Sequence, residues 1–329
     1  MTELHPVHNP ALIGHDEAMK QVAEAFAVGR MHHAWLLSGI EGIGKTTLAY
    51  HMAQHVLSAG QNAMGKLDMT HRVAKLITAE AHPDMLVIRR ATDEKTGELR
   101  NVIVVDDALK IASFLHKTST HGGWRVVVID EAHALNRHGQ NAILKILEEP
   151  PARVLIIITA TTPGALLPTI RSRCRVLQLA PLSDAHMRTI LMRAQPNLSN
   201  EDIQQLIGLS GGSVGFALKI VRTETLPLYQ DLLELLAGLP KLDVTRLHKL
   251  ADQISRKADA ESFDVVTTLL VDHLRQQVHA LATSGNKIQI NRRLQVWEKV
   301  RSTFTMADTA NLDRKLAFIN AVSEIHNTA

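Results

Sequence analysis

The sequence predicts an α/β protein: a parallel five-stranded sheet with helices on both faces, followed by an all-helical region. Three observations carry this. Short apolar runs alternate with segments of helical period through residues 34–179. A glycine-bearing loop joins the first of those runs to the first helix. Beyond Pro181 the strand-like runs stop and only helical periodicity remains.

AWLLSG (34–39) reads as the first strand, and KTTLAYHMAQHVL (45–57) as a helix with Leu48, Ala49, Met52 and Val56 on one face. DMLVIRR (84–90) is the second strand. DDALKIASFLHKTS (106–119) is a helix with a broad apolar face of Leu109, Ile111, Ala112, Phe114 and Leu115. RVVVID (125–130) is the third strand, and QNAILKILEEP (140–150) a helix stopped by Pro150-Pro151. VLIIITATT (154–162) and CRVLQL (174–179) are the fourth and fifth strands. These runs are continuously apolar rather than alternating, which predicts strands buried on both faces of a parallel sheet. Residues 183–194 and 200–209 follow as helices, the second opened by Ser199 with Asp202 three places on. Gly211-Gly212 ends that helix, and Ser213 can cap another over 214–223. The sequence around Pro227 predicts a linker, with helices at 229–238, 243–258, 262–284, 287–304 and 309–326 beyond it. The expected domains are 1–180, 181–226 and 227–329.

The composition is that of a globular protein: 329 residues, 45% hydrophobic and 21% charged. Aromatics make up 3%, so the cores must be built from Leu, Ile, Val, Ala and Met. A net charge of +3 is too weak a bias to argue for nucleic acid. Cys174 is the single cysteine, which excludes an internal disulfide and a multi-cysteine zinc site and fits a reducing compartment. No apolar run reaches about 18 residues, so no membrane-spanning helix is expected, and MTELHPVHNPALIGHDEA has no signal-peptide core. A cytoplasmic location without a membrane partner is the expectation.

GIEGIGKTT directly follows the first strand. Gly39, Gly44, Lys45 and Thr46 match G-x-x-x-x-G-K-[ST], with Gly42 and Thr47 in the same loop. Glycines allow a tight turn that aims several N–H groups at an anion, and the following helix offers its positive end to phosphate. Lys45 is suited to the β- and γ-oxygens of ATP, and the Thr46 hydroxyl to Mg²⁺. A second strand, VVVIDEAHALN, ends in Asp130 and Glu131. In this setting Asp130 is expected to hold Mg²⁺ and Glu131 to act as general base on water. Two histidine pairs are weaker candidates. His51 and His55 have metal-ligand spacing on a helix, but Met52 stands where a zinc protease needs glutamate. His32 and His33 are expected to point apart on a strand.

The letters D-E-A-H also occur in a helicase family, but those enzymes need two ATPase cores and this chain has one, so a DEAH-like nucleic-acid translocase is the weaker alternative. A second family fits better. RVLIIITATTPGALLPTIRSRCR (153–175) contains Ser172-Arg173-Cys174, and LIGHDEA, GRMHHAWLLSG, GGWRVVVIDEAHALN and ILKILEEPP precede it in order. Across roughly residues 10–225 this resembles the AAA+ subunits of bacterial DNA polymerase III clamp loaders. The resemblance implies an AAA+ P-loop nucleotide-binding domain over 1–180, a helical lid over 181–226 and a helical collar over 227–329. It implies that Arg173 is an arginine finger acting on a neighbouring subunit, and that Thr161 is the polar sensor residue after the fourth strand. Implied partners are gamma/tau and delta subunits and, through the complex, the sliding clamp and primed DNA. Enzyme status would follow from membership of the DNA-directed DNA polymerase holoenzyme.

Among such subunits the motor, gamma or tau, normally carries a four-cysteine zinc module, whereas residues 58–83 contain no cysteine, so no zinc is expected. The motor also carries a lid arginine, and Gly215 stands in its place in Gly212-Ser213-Val214-Gly215. This pattern is similar to delta-prime subunits, with an intact Lys45 and Thr46 where many of them have a degenerate loop. Binding of ATP without fast turnover is the expectation. Trp297, among Arg292, Arg293, Lys299 and Arg301, is expected at a subunit contact.

Overall fold

The computed structural model describes residues 5–61, 64–92, 100–117, 119, 123–255, 260–282, 287–310 and 312–328. It contains two compact units, Met1–Phe216 and Ala217–Ala329.

The first unit runs α1 (Asp16–Ala27), β1 (Ala34–Ser38), α2 (Lys45–Leu57), α3 (Arg72–Thr78), β2 (Met85–Ile88), α4 (Val105–His116), β3 (Arg125–Ile129), α5 (Arg137–Glu148), β4 (Val154–Ala160), α6 (Pro168–Arg171) and β5 (Arg175–Gln178). The five strands lie in the order β2-β3-β4-β1-β5, with every neighbouring pair parallel. Successive residues of one strand serve opposite layers. Trp35, Leu37, Val126, Val128, Leu155 and Ile157 pack with Leu48, Met52 and Val56 of α2 and Val22 of α1. Leu36, Val127, Ile129, Ile156 and Ile158 pack with Ile111 and Leu115 of α4 and Ile143 and Leu147 of α5. That double burial is why the strands read as unbroken apolar runs. At the edge, β5 exposes three of its four residues, and the Arg175 guanidinium lies 4.7 Å above the Trp35 ring. The strand order brings the carboxyl ends of β3, β4 and β1 side by side, and all three chains leave the sheet there.

Several expectations need correction. Leu109 is 54% exposed, because α4 buries Ala108, Ile111 and Leu115, one seam of its broad apolar stripe. Residue 118, in the expected extension of that helix, lies outside the described residues. His32 and His33 do not point apart. They precede β1, where strand alternation does not apply, and their rings stack with centroids 4.5 Å apart.

After β5 come α7 (Asp184–Ala194), capped by Ser183, and α8 (Asn200–Ser210), opened by the expected Ser199–Asp202 capping box. Gly211 closes α8 in the left-handed region at φ 56°, and α9 (Val214–Arg222) follows.

The second unit holds α10 (Thr225–Ala237), α11 (Val244–Ile254), α12 (Ala260–Ala282), α13 (Lys287–Thr309) and α14 (Arg314–His326). Pro227 is not in a linker. It sits in the first turn of α10, where a missing N–H costs no helical bond. Phe263, Val266 and Leu270 of α12, Val300 and Phe304 of α13, and Phe318 and Val322 of α14 are buried, with Phe263 and Phe304 edge-to-face at 6.1 Å. Arg301 lies 5.6 Å above the Trp297 ring, whose indole N–H is buried with no hydrogen-bond partner. Among the described residues no helix is long and apolar enough to cross a membrane.

Candidate functional site

The loop between β1 and α2 is built by three glycines at positive φ: Gly39 at 150°, Gly42 at 75° and Gly44 at 102°. Gly44 is the N-cap of α2 and brings no capping side chain, so the first-turn N–H groups of α2 have no cap from it. The Lys45 ammonium, 7% exposed, donates to the carbonyls of Gly39 at 2.9 Å and Ile40 at 2.7 Å. Burial lowers its pKa from the ordinary lysine value, against the pull of Glu41, Asp130 and Glu131. His15, just before α1, donates from Nε2 to the Ile43 carbonyl at 2.8 Å and ties the N-terminal segment to the loop. Thr47 is buried in the first turn of α2.

The acidic end of β3 meets this loop. The Thr46 hydroxyl donates to Asp130 Oδ1 at 2.8 Å, and the Thr159 hydroxyl donates to the same oxygen at 2.6 Å. The Glu131 N–H donates to Thr159 Oγ1 at 2.9 Å. Thr159 on β4 therefore orients the Asp130 carboxylate and holds the Glu131 backbone. Thr161 lies beyond the end of β4 instead, with its hydroxyl 3.4 Å from His133 Nε2. Glu131 itself sits at φ 52° and pairs with Arg90, Nε to Oε2 at 2.6 Å, both side chains about a third exposed or less. Arg90 follows β2, which neighbours β3, so the ion pair spans two adjacent strand ends.

The start of α9 covers the crest of the loop. Ser213 donates from Oγ to the Glu41 carbonyl at 2.7 Å and accepts from the Phe216 N–H at 3.1 Å. The Gly215 N–H donates to the Gly42 carbonyl at 2.9 Å. A Cβ on Gly215 would stand 2.7 Å from Gly42 Cα, and one on Gly42 would stand 2.4 Å from Ser213 Oγ. The two glycines thus approach backbone to backbone, through the carbonyls of the loop.

Arg173 lies apart from this cluster, after α6. It pairs with Glu148 at 2.9 Å and donates from Nη1 to the Thr169 carbonyl at 2.9 Å. Cys174 is partly buried, and burial pushes its thiol up to about 12. The two helix histidines go separate ways: His51 Nε2 meets the Asn9 carbonyl at 3.0 Å, and the His55 ring meets Phe26 edge-on at 5.0 Å. Among the described residues no group of three or more His, Cys, Asp and Glu side chains gathers as a metal-ion site.

Sequence reasoning found the loop and the two acids but missed Thr159, Arg90, His15 and Glu148. Thr159 had a signal, a polar residue inside an otherwise apolar strand. The others depend on partners distant in sequence.

Comparison with known proteins agrees with this architecture. The family described as "DNA polymerase III, delta subunit" matches residues 14–183, just over half of the chain. The DNA polymerase III subunit delta' of Pseudomonas aeruginosa is 34% identical over 235 residues, 71% of this chain and 66% of that protein. The DNA polymerase III subunit gamma of Buchnera aphidicola is 30% identical over 64% of this chain and 56% of that protein. The matched stretch therefore spans less than two thirds of either relative's own length. A DNA polymerase III gamma subunit-related protein from Thermotoga maritima superposes with a TM-score of 0.51 at 15% identity, covering 94% of this chain and 98% of that one, which shows a shared fold. The fold is a parallel five-stranded α/β sheet with a glycine-rich phosphate-type loop, followed by helices, and the chain belongs to the DNA polymerase III delta-subunit family.

Proposed function

We propose that this chain serves as a delta-prime-type subunit of a replicative clamp loader. In a hetero-oligomer with gamma/tau and delta subunits it helps place the sliding clamp on primed DNA while the assembly consumes ATP. The observation that carries the reading is the loop-to-lid geometry. The phosphate loop is complete, yet Gly215 meets it where the motor subunits are expected to carry an arginine.

The residues of the loop fit Mg·ATP. The three glycines hold positive φ angles that side chains would strain, and the Thr46 hydroxyl and the Asp130 carboxylate already stand together at 2.8 Å. Lys45 and the loop amides would hold phosphate oxygens, and Thr46 and Asp130 would hold Mg²⁺. Bound Mg·ATP supplies a transferable phosphoryl group and an anionic ligand that orders the loop. Thr159 keeps the Asp130 carboxylate facing Thr46. Glu131 is the residue suited to take a proton from water, but Arg90 engages its carboxylate. With no lid arginine and with Glu131 so engaged, the isolated chain binds ATP and turns it over slowly. Arg173 offers its guanidinium to a neighbouring subunit's nucleotide, where it offsets charge on the phosphoryl oxygens.

The gamma-type motor is the second reading, favoured by the intact Lys45 and Thr46 and by the match to a gamma subunit. Steady-state ATPase of the purified chain, with and without primed DNA, separates the two. Slow turnover unaffected by DNA, together with stable co-assembly with gamma/tau and delta, supports the stator. A robust DNA-stimulated rate from the chain alone replaces it with the motor.

A further inference from the structure

We propose that Glu148 is the positioning residue for Arg173, fixing the plane in which the guanidinium is presented to the adjoining subunit. This rests on the reading that Arg173 acts in trans.

Glu148 is the last residue of α5, and Glu149 follows it. Two carboxylates at the carbonyl end of a helix oppose its macrodipole, an end that favours cations. Such a pair breaks a local preference and calls for a cation in return. The one basic residue in the last turn of α5 is Lys145, while Glu148 Oε1 takes Arg173 Nη2 at 2.9 Å. The second terminal nitrogen of Arg173 donates to the Thr169 carbonyl in α6 at 2.9 Å. A planar guanidinium held at both terminal nitrogens has a set plane, whereas the free stem samples many rotamers. Of the five N–H groups of an arginine, two are used in this grip, which leaves the others for an oxyanion outside the chain.

The anchor is itself anchored. Gln140, buried on α5, donates to the Ala165 carbonyl at 3.2 Å and accepts from the Leu167 N–H at 2.8 Å. One helix thus holds the chain entering α6 at its start and the guanidinium leaving α6 at its end. Of the three neighbouring arginines, Arg175 lies over Trp35 and Arg171 is exposed, so the carboxylate grip distinguishes Arg173. The pair is also partly exposed, 35% and 48%, which suits presentation more than stability.

The test uses the complex reconstituted with gamma/tau, delta, clamp and primed DNA, reading kcat and KM for ATP. Compared are the wild type, Glu148→Ala, Glu148→Gln, Arg173→Ala and the double variant Glu148→Ala/Arg173→Ala. Glu148→Ala should lower kcat by about threefold to tenfold with KM unchanged, as expected for a misplaced catalytic group. Glu148→Gln, which keeps an acceptor oxygen, should fall less. The double variant should be no slower than Arg173→Ala alone, and the melting temperature of the isolated Glu148→Ala chain should match the wild type. If Arg173→Ala slows the complex while Glu148→Ala leaves or raises kcat, the positioning role is wrong and the trans reading stands. Multiplying losses in the double variant, or a fall in melting temperature that accounts for the lost activity, also overturn it. If Arg173→Ala has no effect, the trans reading goes and this proposal goes with it.

Discussion

At the scale of single residues, Gly42 and His51 show how the first unit constrains its side chains. Gly42 holds φ 75°, and any Cβ there would stand 2.4 Å from Ser213 Oγ and 2.9 Å from Gly215 Cα. Gly42→Ala should therefore cost about 1–3 kcal/mol of stability, from backbone strain and overpacking together. Chemical denaturation checks this, and an unchanged midpoint would show that α9 gives way freely. His51 is buried in α2 with Nε2 donating to Asn9 and Nδ1 unpartnered, and burial pulls its pKa down to about 4 from 6.5. The folded state then binds fewer protons than the unfolded one between those values. Its stability is whole above pH 6.5 and is lost as pH falls toward 4, by up to about 1.4 kcal/mol per unit. His51→Gln, which keeps a donor for Asn9, should flatten the melting temperature over that range relative to the wild type. Parallel profiles for the two would remove His51 as the source. Lys45, Thr46 and Asp130 were legible because their chemistry is local: a loop spacing and a strand end. Thr159 was harder, since β4 and its exit carry three threonines, Thr159, Thr161 and Thr162, and only the strand's register decides which reaches Asp130. Arg90 and Glu148 were not legible at all, because an ion pair between distant segments leaves no trace in either one.

At the scale of elements, strands were read well because β-branched residues buried on both faces announce themselves. Helix ends were read well where a side chain caps them, as at Ser199, and badly at α10, which begins at Thr225 without a side-chain cap and carries Pro227 in its first turn. The short helices α3 and α6 escaped notice, since 7 and 4 residues are too few to display a period. The junction of α9 with the phosphate loop was invisible for another reason: its partners are backbone carbonyls. Ser213 links the two, capping α9 and holding the Glu41 carbonyl. Ser213→Ala should cost about 1–2 kcal/mol, a cap and a buried acceptor lost together. Gly215→Arg, which introduces the arginine expected of a motor subunit, cannot keep the 2.9 Å contact with Gly42 and should loosen the loop. Faster hydrogen exchange at residues 39–44 in that variant, with the sheet unchanged, is the expected result. Unaltered exchange would mean that the contact does not hold the loop.

At the scale of the whole molecule, the first compact unit extends through Phe216 and so takes in helices α7 and α8, whereas the sequence divides the chain where the strand-like runs stop after Pro181. The proposed function rests on two places: a glycine loop suited to an anionic ligand, and an arginine that lies apart from it. The most direct measurement is a titration of a fluorescent ATP analogue into the isolated chain, with and without Mg²⁺, for the wild type and Lys45→Ala. Saturable binding, strengthened by Mg²⁺ and weakened at least about tenfold by Lys45→Ala, is the predicted result. No saturation in the wild type, or the same affinity in both, would contradict it.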